Sequence, residues 1–117
     1  MTMQLVKSTK VLKVCDVSDL VSGSGVCVLL QGEQVALFYL PQTDQQIFAL
    51  SNWDPIGRAN VLSRGIVGSM GERFVVASPL YKQHFDLQTG SCLEDDKVSV
   101  GTYEVTLVNG SVCLETP

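Results

Sequence analysis

Long apolar runs are missing from this 117-residue chain. None approaches the roughly 18 apolar residues that carry a helix across a bilayer. The N-terminal stretch from Met1 to Leu20 has polar side chains throughout where a secretory signal has its apolar segment. The expectation is a cytoplasmic protein that stays off the membrane. A surplus of basic charge is missing too. Eight Lys and Arg against twelve Asp and Glu give a formal net charge of -4 and a pI of about 4.7, with no basic stripe to suit a nucleic acid. Lys7, Lys10 and Lys13 form only a thin basic stretch, which reads as a solvated arm or as lysine protection of an edge strand. Cysteine motifs are missing as well. Cys15, Cys27, Cys92 and Cys113 stand too far apart in sequence for a redox C-x-x-C or a zinc knuckle. Cys27 and Cys113 fall inside apolar strand-like runs and are expected to be buried as small hydrophobes, and a reducing compartment disfavours disulfides.

What is present points to a folded β protein. The chain is 45% hydrophobic and 17% charged, the opposite of the balance that keeps chains disordered, and its length suits one domain over residues 1–117, with residues 1–9 as a flexible arm. Short β-rich runs alternate with turn residues. Strands are expected at Val11 to Val14, Val26 to Leu30, Val35 to Leu40, Ile47 to Leu50 and Phe74 to Ala77. A turn or single helical turn belongs around Asp16, Ser18 and Asp19, and Gln31-Gly32-Glu33-Gln34 closes a hairpin. Asn109-Gly110 predicts a type I′ turn, whose register sets Leu107 opposite Val112 and Val105 opposite Leu114, with Glu104 facing Glu115 on a wet face. Only the stretch from Asn52 to Met70 lacks strand periodicity, and so long a loop is usually functional or disordered. Many short strands with turn signals indicate an all-β sandwich or partly open barrel.

Two segments carry a family resemblance. Ser78-Pro79-Leu80-Tyr81-Lys82-Gln83-His84-Phe85-Asp86-Leu87-Gln88-Thr89-Gly90 resembles the second cluster-binding box of Rieske proteins, which reads C-P-x-H-G and continues into an aromatic-Asp pair and a Thr-Gly turn. Asp54-Pro55-Ile56-Gly57-Arg58-Ala59, continuing to Leu62-Ser63-Arg64-Gly65, resembles the first, C-P-H-x-G-A. Glycine stands at 57 and arginine at 58, whereas the box has glycine directly before alanine. The order and spacing resemble a small Rieske ferredoxin over nearly the whole chain, which implies the Rieske-like antiparallel fold with both loops at one tip. A Rieske centre uses two thiolates on one iron and two imidazoles on the other. By this alignment the thiolate positions are Asp54 and Ser78 and the imidazole positions are Ile56 and Tyr81. Isoleucine has no donor atom, and His84, the chain's one histidine, cannot supply two imidazoles. No cofactor or metal is therefore expected in this chain.

The strings Ala59-Asn60-Val61-Leu62-Ser63-Arg64-Gly65-Ile66, Ser78 through Leu87, and Gly90-Ser91-Cys92-Leu93-Glu94-Asp95 resemble the small subunits of bacterial NADH-dependent assimilatory nitrite reductases. The resemblance implies an accessory subunit without an active site of its own. Its partner would be a large subunit carrying FAD, an iron–sulfur cluster and sirohaem, which reduces nitrite to ammonia with electrons from NADH. A cluster-less Rieske-type module for some other protein, or an electron carrier with unusual ligation through the four thiols, are the alternatives.

Trp53, Arg58, Arg64, Tyr81, Lys82 and His84 are the candidate partner-binding residues, since Trp, Tyr and Arg are enriched among interface hot spots. Against that, Trp53 suits a core and the arginines suit loop carbonyls. Ile56 and Tyr81 are expected to fill the volume a cluster would take, with the tyrosine hydroxyl on a polar partner. Ser78, His84 and Asp86 hold the residue types of a hydrolytic triad without its strand–elbow–helix setting; the plainer reading gives the Ser78 hydroxyl to the loop backbone. Asp54, Ser78 and Tyr81 are thin as ligands for a hard cation, which wants several oxygens. Glu94-Asp95-Asp96 reads as a solvated turn.

Overall fold

The computed structural model describes residues 10–116, and it is all-β with antiparallel sheets that do not close into a barrel. The arm expected over 1–9, with Lys7, lies outside the described residues. In chain order the strands are β1 (Val11–Asp16), β2 (Gly25–Leu30), β3 (Glu33–Tyr39), β4 (Ile47–Ser51), β5 (Trp53–Asp54) and β6 (Ala59–Asn60). They continue as β7 (Ile66–Met70), β8 (Arg73–Ala77), β9 (His84–Asp86), β10 (Thr102–Tyr103), β11 (Val105–Val108) and β12 (Ser111–Glu115). Short 3-10 turns stand at Val17–Asp19 and Leu62–Arg64.

The central sheet has the order β10-β4-β3-β2, and its middle strand explains the rest. Val35, Ala36, Leu37 and Phe38 are consecutive and fully buried. An uninterrupted apolar run is what a strand covered on both faces requires. Successive side chains point to opposite faces, so β3 and β4 feed two cores. Ala36, Phe38, Leu40, Phe48 and Leu50 pack with Leu62, Val76, Phe85, Leu87, Cys92 and Val100. Val35, Leu37, Ile47 and Ala49 pack with Leu30 and with Val112 and Leu114 of β12, flanked by Leu12 and Val14. The sheet β1-β12-β11 thus covers one face, and the sheet β7-β8-β9, which carries one tip loop, covers the other. Fully burying a side chain such as Phe38 or Phe85 is worth about 2–3 kcal/mol.

The hairpins follow their turn chemistry. Asn109 and Gly110 have φ of 49° and 81°, and the register sets Leu107 against Val112 and Val105 against Leu114 as expected. The β2–β3 turn is tighter than the four residues expected: Gln31 and Gly32 alone turn the chain, with φ of 49° and 84°. Lys13 sits on β1, at the margin of its sheet, and pairs with Asp16 at 2.8 Å. Two expectations fail. The stretch 52–70 is not one loop, because Ile66–Met70 pairs in register with β8. Gly68 and Ser69 in a strand with only one neighbour gave it no apolar alternation. Cys27 is exposed. Its run Gly25–Leu30 alternates between partial burial and exposure, and the thiol falls on the outer side.

Gly90 and Gly110 separate conformational strain from lack of space. Both have positive φ, 78° and 81°. A Cβ on Gly110 would meet nothing within 4 Å, whereas one on Gly90 would collide with the Val100 carbonyl oxygen. Gly110→Ala is expected to cost about 1 kcal/mol, from the left-handed backbone alone. Gly90→Ala is expected to cost roughly 3 kcal/mol or more, because a backbone atom must also give way. Urea unfolding of the two variants measures the difference.

Candidate functional site

Two loops of matched construction meet at the tip. Asp54 ends β5 and begins the first; Ser78 follows β8 and begins the second. Each is followed by proline, Pro55 or Pro79, whose ring fixes φ for the turn. Four residues on, each chain bends back. The Arg58 N–H donates to the Asp54 carbonyl at 2.7 Å, and the Lys82 N–H donates to the Ser78 carbonyl at 3.0 Å. Both closing residues lie in the left-handed region, with φ of 60° at Arg58 and 64° at Lys82. In the cluster-binding boxes these two positions belong to glycine. The backbone keeps the glycine conformation with a cationic side chain attached, at a cost of about 1–2 kcal/mol each.

The loops are joined through their first residues. The Ser78 hydroxyl donates to the Asp54 carboxylate, and both residues are buried. The other carboxylate oxygen accepts the Ile56 and Gly57 N–H groups at 2.8 and 2.9 Å. Ser78 Oγ also accepts the Leu80 N–H at 3.3 Å. A carboxylate buried without donors is costly; here three donors converge on it. Gly57 lets the loops approach, since a Cβ there would strike the Leu80 side chain.

A [2Fe–2S] cluster does not fit this arrangement. At the two thiolate positions, Asp54 and Ser78 bond to each other. Ile56 offers no donor and packs against the first core. Tyr81 is 64% exposed, so it does not fill a cluster-sized volume and its ring is not buried with a partnered hydroxyl, contrary to expectation. Ser78 and Asp54, not Ile56 and Tyr81, tie the loops together. Among the described residues, no three His, Cys, Asp or Glu side chains converge as a metal site.

The triad reading fails on geometry, because each member has another partner. Ser78 is bonded to Asp54. His84 presents Nδ1 to Glu94 at 2.6 Å. Asp86 accepts the Gln88 and Thr89 N–H groups at 2.8 and 3.0 Å, which shapes the Thr89-Gly90 turn, and lies 3.6 Å from Arg73.

The candidate docking residues divide. Arg58, Tyr81 and Lys82 all stand on the matched loops, and all three are exposed. Leu80, which the sequence reading passed over as the variable box position, joins them at 45% exposure. Arg64 is exposed on the second 3-10 turn. Partial desolvation of the otherwise exposed Cys27 thiol pushes it up from its usual pKa, and the charge of Arg64 opposes the shift. Trp53 is neither core nor on the loops' outer turn. It is exposed and lines a shallow hollow with Gly32, Glu33, Gln34, Ser51 and Asn60. His84 is tied down, because its backbone N–H also donates to Glu94, at 2.7 Å. Glu94 is therefore a brace for the outgoing leg of the second loop and not only a solvated turn residue. The ten-residue separation hid this contact.

Partial burial raises the Glu94 carboxyl, but the bonds from the His84 backbone and ring and the charge of the imidazole outweigh it, so the group is held below its ordinary value of 4.5. A lowered carboxyl stabilises the fold above its unfolded pKa, and that contribution is lost as pH falls through the folded value. Glu94→Gln is expected to flatten the stability profile below about pH 4.5, by no more than about 1 kcal/mol because the pair is largely exposed. Thermal melts across an acid series measure it. The Asp54–Ser78 bond is worth more. Asp54→Ala strands two loop amides and is expected to cost about 3 kcal/mol, and Ser78→Ala about 1–2. The double variant should cost less than the sum, as denaturant titrations of the cycle will show.

Comparison with known proteins agrees with this architecture. The model of the Rieske-like [2Fe-2S] domain family matches residues 10–115, so a Rieske-like domain is the class of protein this fold defines. The nitrite reductase (NADH) small subunit of Salmonella typhimurium is 46% identical over 101 residues, covering 86% of this chain and 93% of that one. The solution structure of the nitrite reductase [NAD(P)H] small subunit from Erwinia carotovora superposes with a TM-score of 0.76 at 44% identity, covering 92% of this chain and 82% of that one. The chain belongs to the family of nitrite reductase (NADH) small subunits. The nitrite reductase [NAD(P)H] large subunit of Klebsiella oxytoca is 36% identical over 99 residues, which cover 85% of this chain and 10% of that one.

Proposed function

We propose that this chain is a non-catalytic accessory subunit of an NADH-dependent nitrite reductase, docking on the large subunit and supporting it without passing electrons through a cofactor of its own. The observation that carries the reading is the Asp54–Ser78 hydrogen bond, which occupies both thiolate positions and leaves the tip as a surface. The Klebsiella relationship supports the partner. A domain similar to this chain forms about a tenth of a large-subunit polypeptide there, and a covalent link holds two modules at high effective concentration. The large subunit would supply FAD, an iron–sulfur cluster and sirohaem, bind NADH and reduce nitrite to ammonia in nitrate assimilation. This chain would work in the cytoplasm without nucleic acid or membrane, as one Rieske-like domain with docking residues Arg58, Tyr81 and Lys82 on the tip loops, and secondarily Arg64, Trp53 and His84 away from the loops' outer turns.

Pull-down with this chain as bait is expected to recover the large flavin- and sirohaem-containing chain, and deletion of the subunit is expected to lower reductase activity or stability. Unchanged activity and stability after deletion would refute the proposal. Tyr81→Ala is expected to leave thermal stability within about 0.5 kcal/mol, as for an ordinary surface substitution, while weakening capture of the large chain. Wild-type capture would remove Tyr81 from the interface.

A further inference from the structure

The exposed charges on the two tip loops are all positive. The two tip loops, 54–59 and 78–83, carry two of the eight cationic side chains, Arg58 and Lys82, and one of the twelve carboxylates, Asp54. Asp54 is buried beneath the loops with three donors on it. Among the described residues, the ion pairs form at Lys13, Arg73 and His84, and none involves Arg58, Arg64 or Lys82. A protein of net charge -4 therefore presents two cations on these loops, while Glu94, at the outgoing leg of the second, is engaged by His84. Arg58 and Lys82 occupy equivalent positions in the two loops, each with φ near 60°. Beside Lys82 the second loop exposes Leu80 and Tyr81, and Leu80 lies against Gly57, the neighbour of Arg58. An apolar centre with cations at its margin is the pattern of an electrostatically steered interface, in which the charges set encounter rate and partner choice.

We infer that Arg58 and Lys82 are the recognition pair of this docking surface, and that the surface they meet on the large subunit is a carboxylate-rich patch with an apolar centre that receives Leu80 and Tyr81. This rests on the accessory-subunit reading and adds the chemistry of the contact. The two residues hold a backbone conformation that glycine adopts without penalty, so their replacement by glycine separates docking from folding. A residue kept for the fold would lose stability on substitution; these should not.

The experiment uses the full-length chain and the nitrite reductase large subunit of the same organism, with affinity measured at low and high sodium chloride. Wild-type affinity is expected to fall steeply as salt rises, because exposed charges are screened within about 10 Å at 0.1 M ionic strength. Arg58→Gly and Lys82→Gly are each expected to weaken binding about tenfold at low salt, with melting temperatures at or above wild type. The double variant should lose most of the salt dependence. Arg58→Asn and Lys82→Asn, which tolerate the left-handed backbone, should reproduce the loss. Glycine variants with wild-type affinity, or with reduced melting temperatures, would overturn the inference and leave the accessory-subunit reading standing. Loss of self-association in place of large-subunit binding would also overturn it, since the acidic partner would then be a second copy. Failure of the wild-type chain to bind the large subunit would remove both.

Discussion

The hydrogen bond from the Ser78 hydroxyl to the Asp54 carboxylate is the constraint on which the tip depends. It joins two loops that leave different strands, β5 and β8, which share no hydrogen-bonded sheet. It also fixes both loops internally, because the same carboxylate gathers the Ile56 and Gly57 amides while the same hydroxyl receives the Leu80 amide. In a cluster-bearing relative, two thiolates on one iron would hold these positions. Here an acceptor-only carboxylate and a hydroxyl donor make the connection directly. It is buried and made entirely of protein.

The consequence reaches the outside of the molecule. With the inner positions settled by a polar pair and by Ile56 against the core, the outer positions are free of ligand duty. Tyr81, at an imidazole position, turns into solvent. Arg58 and Lys82, at the glycine positions, keep the required backbone and add charge. The two joined loops thus present Leu80 and Tyr81 together with Arg58 and Lys82 to solvent. Beneath them, Leu62, Val76 and Phe85 of the first core are fully buried, so the tip rests on a packed layer.

Much of this was legible in the residues. The apolar run from Val35 to Leu40 marked a strand, and Asn109-Gly110 set a register that the structure reproduces at Leu107 with Val112 and at Val105 with Leu114. The spacing of the two boxes put Asp54 and Ser78 at the starts of two loops, which is where the structure has them. What the sequence concealed was direction and long-range pairing. Whether Tyr81 points in or out depends on how the second loop closes, and no spacing encodes that. Cys27 looked buried because its neighbours are apolar, yet only one side of that strand faces a core. β7 was hidden because it gains its order from β8, and Glu94 because its partner His84 is ten residues away.

The central claim is that the chain enters its reductase as bare polypeptide, its loops held by Asp54 and Ser78 and not by iron. Native mass spectrometry of the complex isolated from cells tests this most directly. The account predicts that this subunit leaves the large chain at its polypeptide mass, 12.7 kDa. A subunit heavier by two irons and two sulfides would contradict it.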